Sequence, residues 1–300
     1  MMKALAAFIM RGQPHAIAVT AGLAVLSLLF PLLGLLSAAA LGLVTLRVGP
    51  MAGLLVLVAS SVLVTGVAMF TATPLIMPAT ASLLLLVLWL AAVVLRATRS
   101  LPLAIIAISA LGVLSVVIFH LLVGDAALWW KTHFDALFAQ AIEAMTLDQQ
   151  MAFKENLETW SAIMTGFVAM IVSLQVVFSL FIARSWQAVL YNPGGFRQEF
   201  RGLRFGKQIA IVSLVIVILT FIPSFIAAIS ADLLMLVLML YVLQGVAAIH
   251  AIAGMKGLNW PWLLGFYLVV ILAPQLVAIA GYADTWLDFR KRAAKPGQTQ

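Results

Sequence analysis

Tyr191-Asn192-Pro193-Gly194-Gly195-Phe196-Arg197-Gln198-Glu199-Phe200-Arg201-Gly202-Leu203-Arg204 is a basic, patterned stretch between two long apolar runs. Asn-Pro-Gly-Gly encodes a turn, because proline fixes φ and glycine accepts positive φ at no steric cost. A short helical pattern follows. Phe196, Phe200 and Leu203 fall at i, i+4 and i+7 on one face. Arg197, Arg201 and Arg204 repeat that spacing one residue later as a neighbouring basic ridge. At a membrane surface such a helix can hold anionic lipid headgroups, each arginine adding about 1 kcal/mol. Two uses stay open: a positive loop that only orients the flanking spans, or a docking site for lipid or a cytoplasmic partner through Arg197, Arg201 and Arg204.

Outward from this stretch the chain reads as membrane. Of its 300 residues 65% are hydrophobic and 9% charged, with a mean hydropathy of +1.17. Soluble domains carry about 25% charged residues, so a water-soluble fold is excluded. The absence of cysteine removes disulfides, thiol catalysis and cysteine metal sites. The net charge of +7 is read as cytoplasmic lysine and arginine, not as a nucleic-acid footprint. The first apolar run lacks a small-residue cleavage site and is read as retained.

Between Arg11 and Arg47 lie 35 residues without a charged side chain. As one helix they would reach about 50 Å, against a hydrocarbon core of about 30 Å. Pro31 divides them into two short helices, 16–30 and 32–46. The second carries Gly34, Ala38 and Gly42 at helical spacing, a small-residue face for close approach of another helix, inside the bundle or on a partner. Residues 48–95 make two more spans with Thr71-Ala72-Thr73-Pro74 as their turn, and 100–124 makes a fifth. Residues 125–158 hold six acids, with Phe134, Leu137, Phe138, Ile142 and Met145 at helical spacing. They read as an outer amphipathic cap, either a lid over an outward cavity or a surface loop. The sixth span is 159–183, ending at Arg184 and Trp186. Two more follow, 208–231 kinked by Pro223 and 233–255, separated by Asp232. The last apolar stretch is 258–283, with Pro274 near its middle.

With the N-terminus inside, Arg47, Arg96, Arg99, the 184–207 loop and Lys256 fall inside, and only Lys131 and Lys154 outside. The last stretch leaves a conflict. The spacing of Trp260 and Trp286 suits one tilted span, which puts Arg290, Lys291, Arg292 and Lys295 outside. A break at Pro274 with a return keeps them inside, and that is the reading adopted.

Polar groups within spans are the candidates for chemistry: Gln175, Gln244, His250 and Gln275, with Tyr241 one turn from Gln244. Interhelical hydrogen bonding is the competing use, at about 0.6 kcal/mol per bond. No Asp, Glu, Lys or Arg is placed deep in a span, which counts against an ion-coupled transporter. No Gly-x-x-x-x-Gly-Lys-Ser/Thr loop is present, so the chain hydrolyses no ATP by itself. His15, His120, His133 and His250 are far apart and give no metal spacing. No cofactor, metal or catalytic residue is indicated.

Tyr191-Asn192-Pro193-Gly194-Gly195-Phe196-Arg197 with Glu199-Phe200 and Leu203-Arg204 resembles the inner-loop signature of the YybS-like family of bacterial polytopic membrane proteins. Gly281-Tyr282-Ala283-Asp284-Thr285-Trp286-Leu287-Asp288-Phe289-Arg290, and Gln244-Gly245 followed by His250, are similar to that family's C-terminal pattern. The resemblance implies a multi-pass protein of the bacterial cytoplasmic (inner) membrane and carries no established activity. The family is distantly similar to substrate-binding subunits of energy-coupling-factor importers, on a short helix pair followed by Gly49-Pro50-Met51-Ala52-Gly53. There, small residues on the first spans contact a coupling subunit and separate ATPases drive transport. The chain departs from those subunits after the sixth span.

The expected fold is thus an all-α transmembrane bundle of eight or nine segments with an outer cap and an inner basic loop. Its expected divisions are a six-segment bundle over 1–185 with the cap at 125–158, a cytoplasmic loop at 186–207, membrane segments at 208–287 and a polar tail at 288–300. The first functional expectation is a transport-related, small-ligand-binding subunit without its own ATPase. Gln175, Tyr241, Gln244 and His250 would hold the ligand, and Gly34, Ala38 and Gly42 would meet a coupling subunit. The second is a membrane scaffold recruiting cytoplasmic protein through the basic loop. The third is an intramembrane enzyme using His250 with Gln244.

Overall fold

The computed structural model describes residues 2–222 and 225–294, and within them the chain is all-helical. The expected kink at Pro223, Lys295 in the tail and the side chain of Trp260 lie outside the described residues. Helix α1 (Met2–Ile9) packs on α8 (Leu147–Tyr191) through Ala6 and Ile9. Helices α2 (Gln13–Ser27) and α3 (Leu33–Arg47) form the pair expected around Pro31. Each has 15 residues, about 22 Å, short of a full crossing. Residues 37–46 of α3 are buried on every side, so α3 is the central post of this half. Around it stand α2, α4 (Pro50–Phe70), α5 (Ile76–Thr98) and α8, while α6 (Leu101–Val123) packs on α5 and α8.

Helix starts follow from local chemistry. Pro50 opens α4 at a position where its missing N–H costs nothing. Ser100 caps α6, its hydroxyl accepting from the Leu103 N–H. Thr146 and Gln149 form a reciprocal capping box that starts α8. That helix then runs 45 residues, about 67 Å, more than twice the hydrocarbon thickness. It continues through Arg184 and Trp186 to Tyr191, so the division expected at residue 185 cuts a continuous helix. Its acidic first turns pair with α7 (Ala126–Glu143) in an antiparallel hairpin held by a Lys131–Glu158 ion pair and by Trp130 Nε1 donating to Thr165 Oγ1 (2.9 Å). Helix α7 packs chiefly on α8 and α6.

The second half is organised on α11 (Phe225–Lys256), which meets α6, α8, α9 (Gly195–Arg201), α10 (Gly206–Leu219), α13 (Pro274–Leu287) and α14 (Phe289–Ala293). Asp232 does not separate two spans: α11 passes through it unbroken, and the break falls earlier, after α10. Helices α12 (Trp260–Leu272) and α13 are bent by 106° at Ala273–Pro274.

The basic groups gather at one end. Arg96 donates to the Leu46 carbonyl (2.6 Å), and Arg47 lies 4.1 Å over the Tyr191 ring, joining the ends of α3, α5 and α8. The α12–α13 pair both starts and finishes beside Arg201. Leu258 and Leu263 share a cavity with Arg201, while Arg290 donates to the Arg201 carbonyl (2.7 Å). The two ends of the pair therefore lie near Arg201, and Arg290 shares the end of the basic loop. Five helices are long and apolar enough to cross a membrane (α4, α5, α6, α8 and α11), or up to seven if the bent pairs α9–α10 and α12–α13 each count once. Such helices make this a multi-pass membrane protein. The larger count of eight or nine came from charge-free length, which does not separate a crossing from a 15-residue half-crossing.

Candidate functional site: a basic cavity beside an apolar cleft

Helix α9 begins at Gly194, whose φ of +87° suits glycine. Phe196 and Phe200 turn toward α8, each ring 5.5 Å from Phe181. Burying that face leaves the arginine face toward α11 and α12. Most cations near it are already matched. Arg184 makes a two-point contact with Glu199, one arm at 2.8 Å. Arg204 pairs with Asp288 and lies 3.5 Å from Asp284. Arg290 lies 3.2 Å from Asp284 and donates to the carbonyls of Arg201 (2.7 Å) and Leu203 (2.6 Å). Burial holds the Arg290 guanidinium below the usual arginine value, with Asp284 acting against it.

Among the described residues, Arg197 and Arg201 have no acidic partner. They line a cavity of about 620 Å³ with Phe200, His250, Gly254 and Leu263. Gly254 makes the room: a Cβ there would sit 2.4 Å from Arg201 Nη1. His250 Nε2 is 2.8 Å from the Tyr267 hydroxyl, which fixes the imidazole at the cavity wall. Beside it lies an apolar cleft of about 470 Å³ between α8, α11 and α12, lined by Phe178, Phe181, Phe196, Leu238 and Val242 among others. Phe200 borders both spaces, and the His250–Tyr267 pair joins one wall to the other. Two unpaired guanidiniums beside a long apolar slot suit a molecule with an anionic head and a hydrocarbon tail.

The structure brings Arg197, Arg201 and His250 together and sets the other expected site residues apart. Tyr241 and Gln244 are both buried and have protein partners. Gln244 Oε1 accepts from the Phe205 N–H (2.9 Å), and its Nε2 donates to the Gly281 carbonyl (2.7 Å) and Thr285 (2.9 Å). Tyr241 packs 5.1 Å from the Tyr282 ring, beside Ser213. Arg204 is committed to Asp288 and leaves the docking ridge. Gln275 is exposed at the start of α13.

The small-residue face is not open to a partner either. A Cβ on Gly42 would meet Ala183 at 2.9 Å and Leu88 at 3.4 Å, so this face packs on α8 and α5. Ala38 is buried, and Gly34 borders a separate cavity of about 270 Å³ with Ala38 and Gln175. The Gln175 amide reaches that space and has no hydrogen-bond partner among the described residues.

Two buried carboxylates escaped the sequence reading. Asp284 is fully buried under Arg204 and Arg290. Asp232, 3% exposed, accepts from the Gly166 N–H (2.8 Å) and lies 2.7 Å from His120 Nε2. Acids in apolar runs were assigned to helix ends. The available signal was that His120 is the lone ionisable group between Arg99 and Asp125, and Asp232 the lone acid between Glu199 and Asp284. The residues 112 positions apart that meet here carry no spacing to read. No family model, curated protein or solved structure matches the chain, so what it does is argued from this geometry.

Proposed function

We propose that the protein binds an anionic, phosphate-bearing amphiphile at the basic end of its bundle, as a non-catalytic component of a bacterial cytoplasmic membrane. The observation that carries this reading is the junction at Phe200 and the His250–Tyr267 pair, where a cavity with two unpaired arginines meets an apolar cleft. A phosphate held by Arg197 and Arg201 gains charge-assisted hydrogen bonds, and an acyl chain in the cleft gains burial. The basic end lies in the cytoplasm on this reading, following the distribution of lysine and arginine. Kinship with the YybS-like family belongs to the same proposal, as does a role in transport alongside subunits that supply ATP hydrolysis.

Native mass spectrometry of the detergent-purified protein, with extraction of retained lipid, tests it. The wild type is expected to keep an anionic phospholipid. Arg197→Glu with Arg201→Glu is expected to lose it about 30-fold, at about 1 kcal/mol for each arginine. Equal retention by both proteins would sink the reading. The scaffold remains a second reading because Arg197 is exposed. It predicts a soluble protein that co-purifies in stoichiometric amount and is lost in Arg197→Glu while lipid stays bound.

A further inference from the structure

At the opposite, acidic end, His120 of α6 and Asp232 of α11 meet against α8. The contact depends on Gly166, where a Cβ would lie 2.3 Å from the Asp232 carbonyl oxygen. With that Cβ absent, α8 and α11 approach until the Gly166 N–H reaches Asp232 Oδ1 at 2.8 Å. Oδ2 faces His120 Nε2 at 2.7 Å. Both carboxylate oxygens are therefore supplied, and both side chains are almost fully buried. The other imidazole nitrogen, His120 Nδ1, is buried without a hydrogen-bond partner among the described residues. The ring stands at the wall of a cavity of about 350 Å³ that also touches Gly124, Asp125, Ala162 and Phe225.

Charge decides what this arrangement takes. A carboxylate at this depth is costly unless its charge is met. The Gly166 N–H and a neutral imidazole meet it with dipoles only. One further proton makes the pair neutral as a whole, and the atom with a free lone pair for it is Nδ1, because Nε2 already donates to Asp232. The charged groups facing His120 are Asp232 on α11 and Asp125 at the start of α7. Helix α8 presents Ala162 and a backbone N–H, and the adjoining span of α5 before Arg96 has no ionisable side chain. Among the described residues no Lys or Arg pairs with the carboxylate, and no group of three His, Cys, Asp or Glu could hold a metal ion.

We propose that His120 and Asp232 form a proton-exchange site that opens to the acidic end of the bundle. Asp232 holds the ring with its proton on Nε2, and Nδ1 takes up and releases a proton through the cavity. Asp232 is the positioning residue and His120 the group that exchanges.

Nitrogen NMR of the full-length, ¹⁵N-histidine-labelled protein in oriented proteoliposomes tests this, with His120→Asn assigning the signal among four histidines. The expected neutral ring is protonated on Nε2 and bare at Nδ1. Nδ1 is expected to gain a proton when only the solution bathing the acidic end is acidified. Asp232→Asn is expected to abolish the preference for Nε2. Three results would each overturn the proposal: a neutral ring protonated on Nδ1, no change on acidifying either solution, or a response only to the solution at the basic end. The wild-type readings stand alone if Asp232→Asn fails to fold.

Discussion

Asp284 and Asp288 sit four residues apart and do different work. Asp284 has no exposed surface and lies under two guanidiniums, at ion-pair distance but without hydrogen-bond alignment. Asp288 is more than a third exposed, pairs with Arg204, and caps α14 by accepting from the Lys291 N–H (3.2 Å). The Arg204 hydrogen bond, with the Lys291 N–H and both cations behind it, holds the Asp288 carboxyl below the ordinary value. A depressed carboxyl contributes stability that is complete above its unfolded value, about 3.9, and is lost as pH falls through the folded one. Solvent screening keeps that contribution below about 1 kcal/mol. The tail is thus expected to stay docked down to about pH 4 and to loosen only below it. Fluorescence of Trp286, which lies beside Lys207, read against a Trp286→Phe control, reports this. A change between pH 5 and 7 would contradict it, and Asp288→Asn should remove the acid transition. At this scale the sequence was partly legible. The ridge of Arg197 and Arg201 was readable from spacing. Arg204 shares that spacing but left the ridge, because α9 stops at Arg201 and the chain turns toward acids 80 or more residues away.

Between elements, the closest backbone approach in the second half is α11 on α13. A Cβ on Gly281 would lie 2.1 Å from the Tyr241 carbonyl oxygen, and one on Gly245 would lie 2.3 Å from that of Val277. Neither obstacle can rotate away, so Gly281→Ala must push the helices apart and strain the Gln244 hydrogen bonds. Overpacking of this kind costs about 1–3 kcal/mol. Gly265→Ala in α12 meets nothing within 4 Å and should be neutral or slightly stabilising through helix propensity. Thermal unfolding in detergent of the two variants measures the difference, and equal melting temperatures would refute the account of the contact. The helices themselves were legible, since apolar runs and proline punctuation placed α2 to α6 within a few residues. Their breaks were not. Asp232 looks like an end in sequence, and it stays inside α11 because His120 and a backbone N–H from other helices meet its charge.

Across the whole molecule, charge is sorted by end: an acidic hairpin at one, and arginines of the loop, the short helices and the tail at the other. A single crossing of 258–283 would have broken that sorting, and the bend at Pro274 preserves it. The physical reason is the contact set at Arg201, which receives the start of α12 through a shared cavity and the tail through Arg290. The absence of cysteine makes this directly measurable. Gln198→Cys in α9, Lys291→Cys in the tail and Ala144→Cys at the hairpin tip all replace exposed residues. A membrane-impermeant thiol reagent applied to one side of sealed vesicles is expected to label Cys at 198 and 291 together, and to label 144 only from the other side. If the tail labelled with 144, α12 and α13 would have to cross the membrane as one span. The pairing of Arg204 with Asp288, and with it the matched half of the basic end, would then have no basis, because the two partners would face opposite solutions.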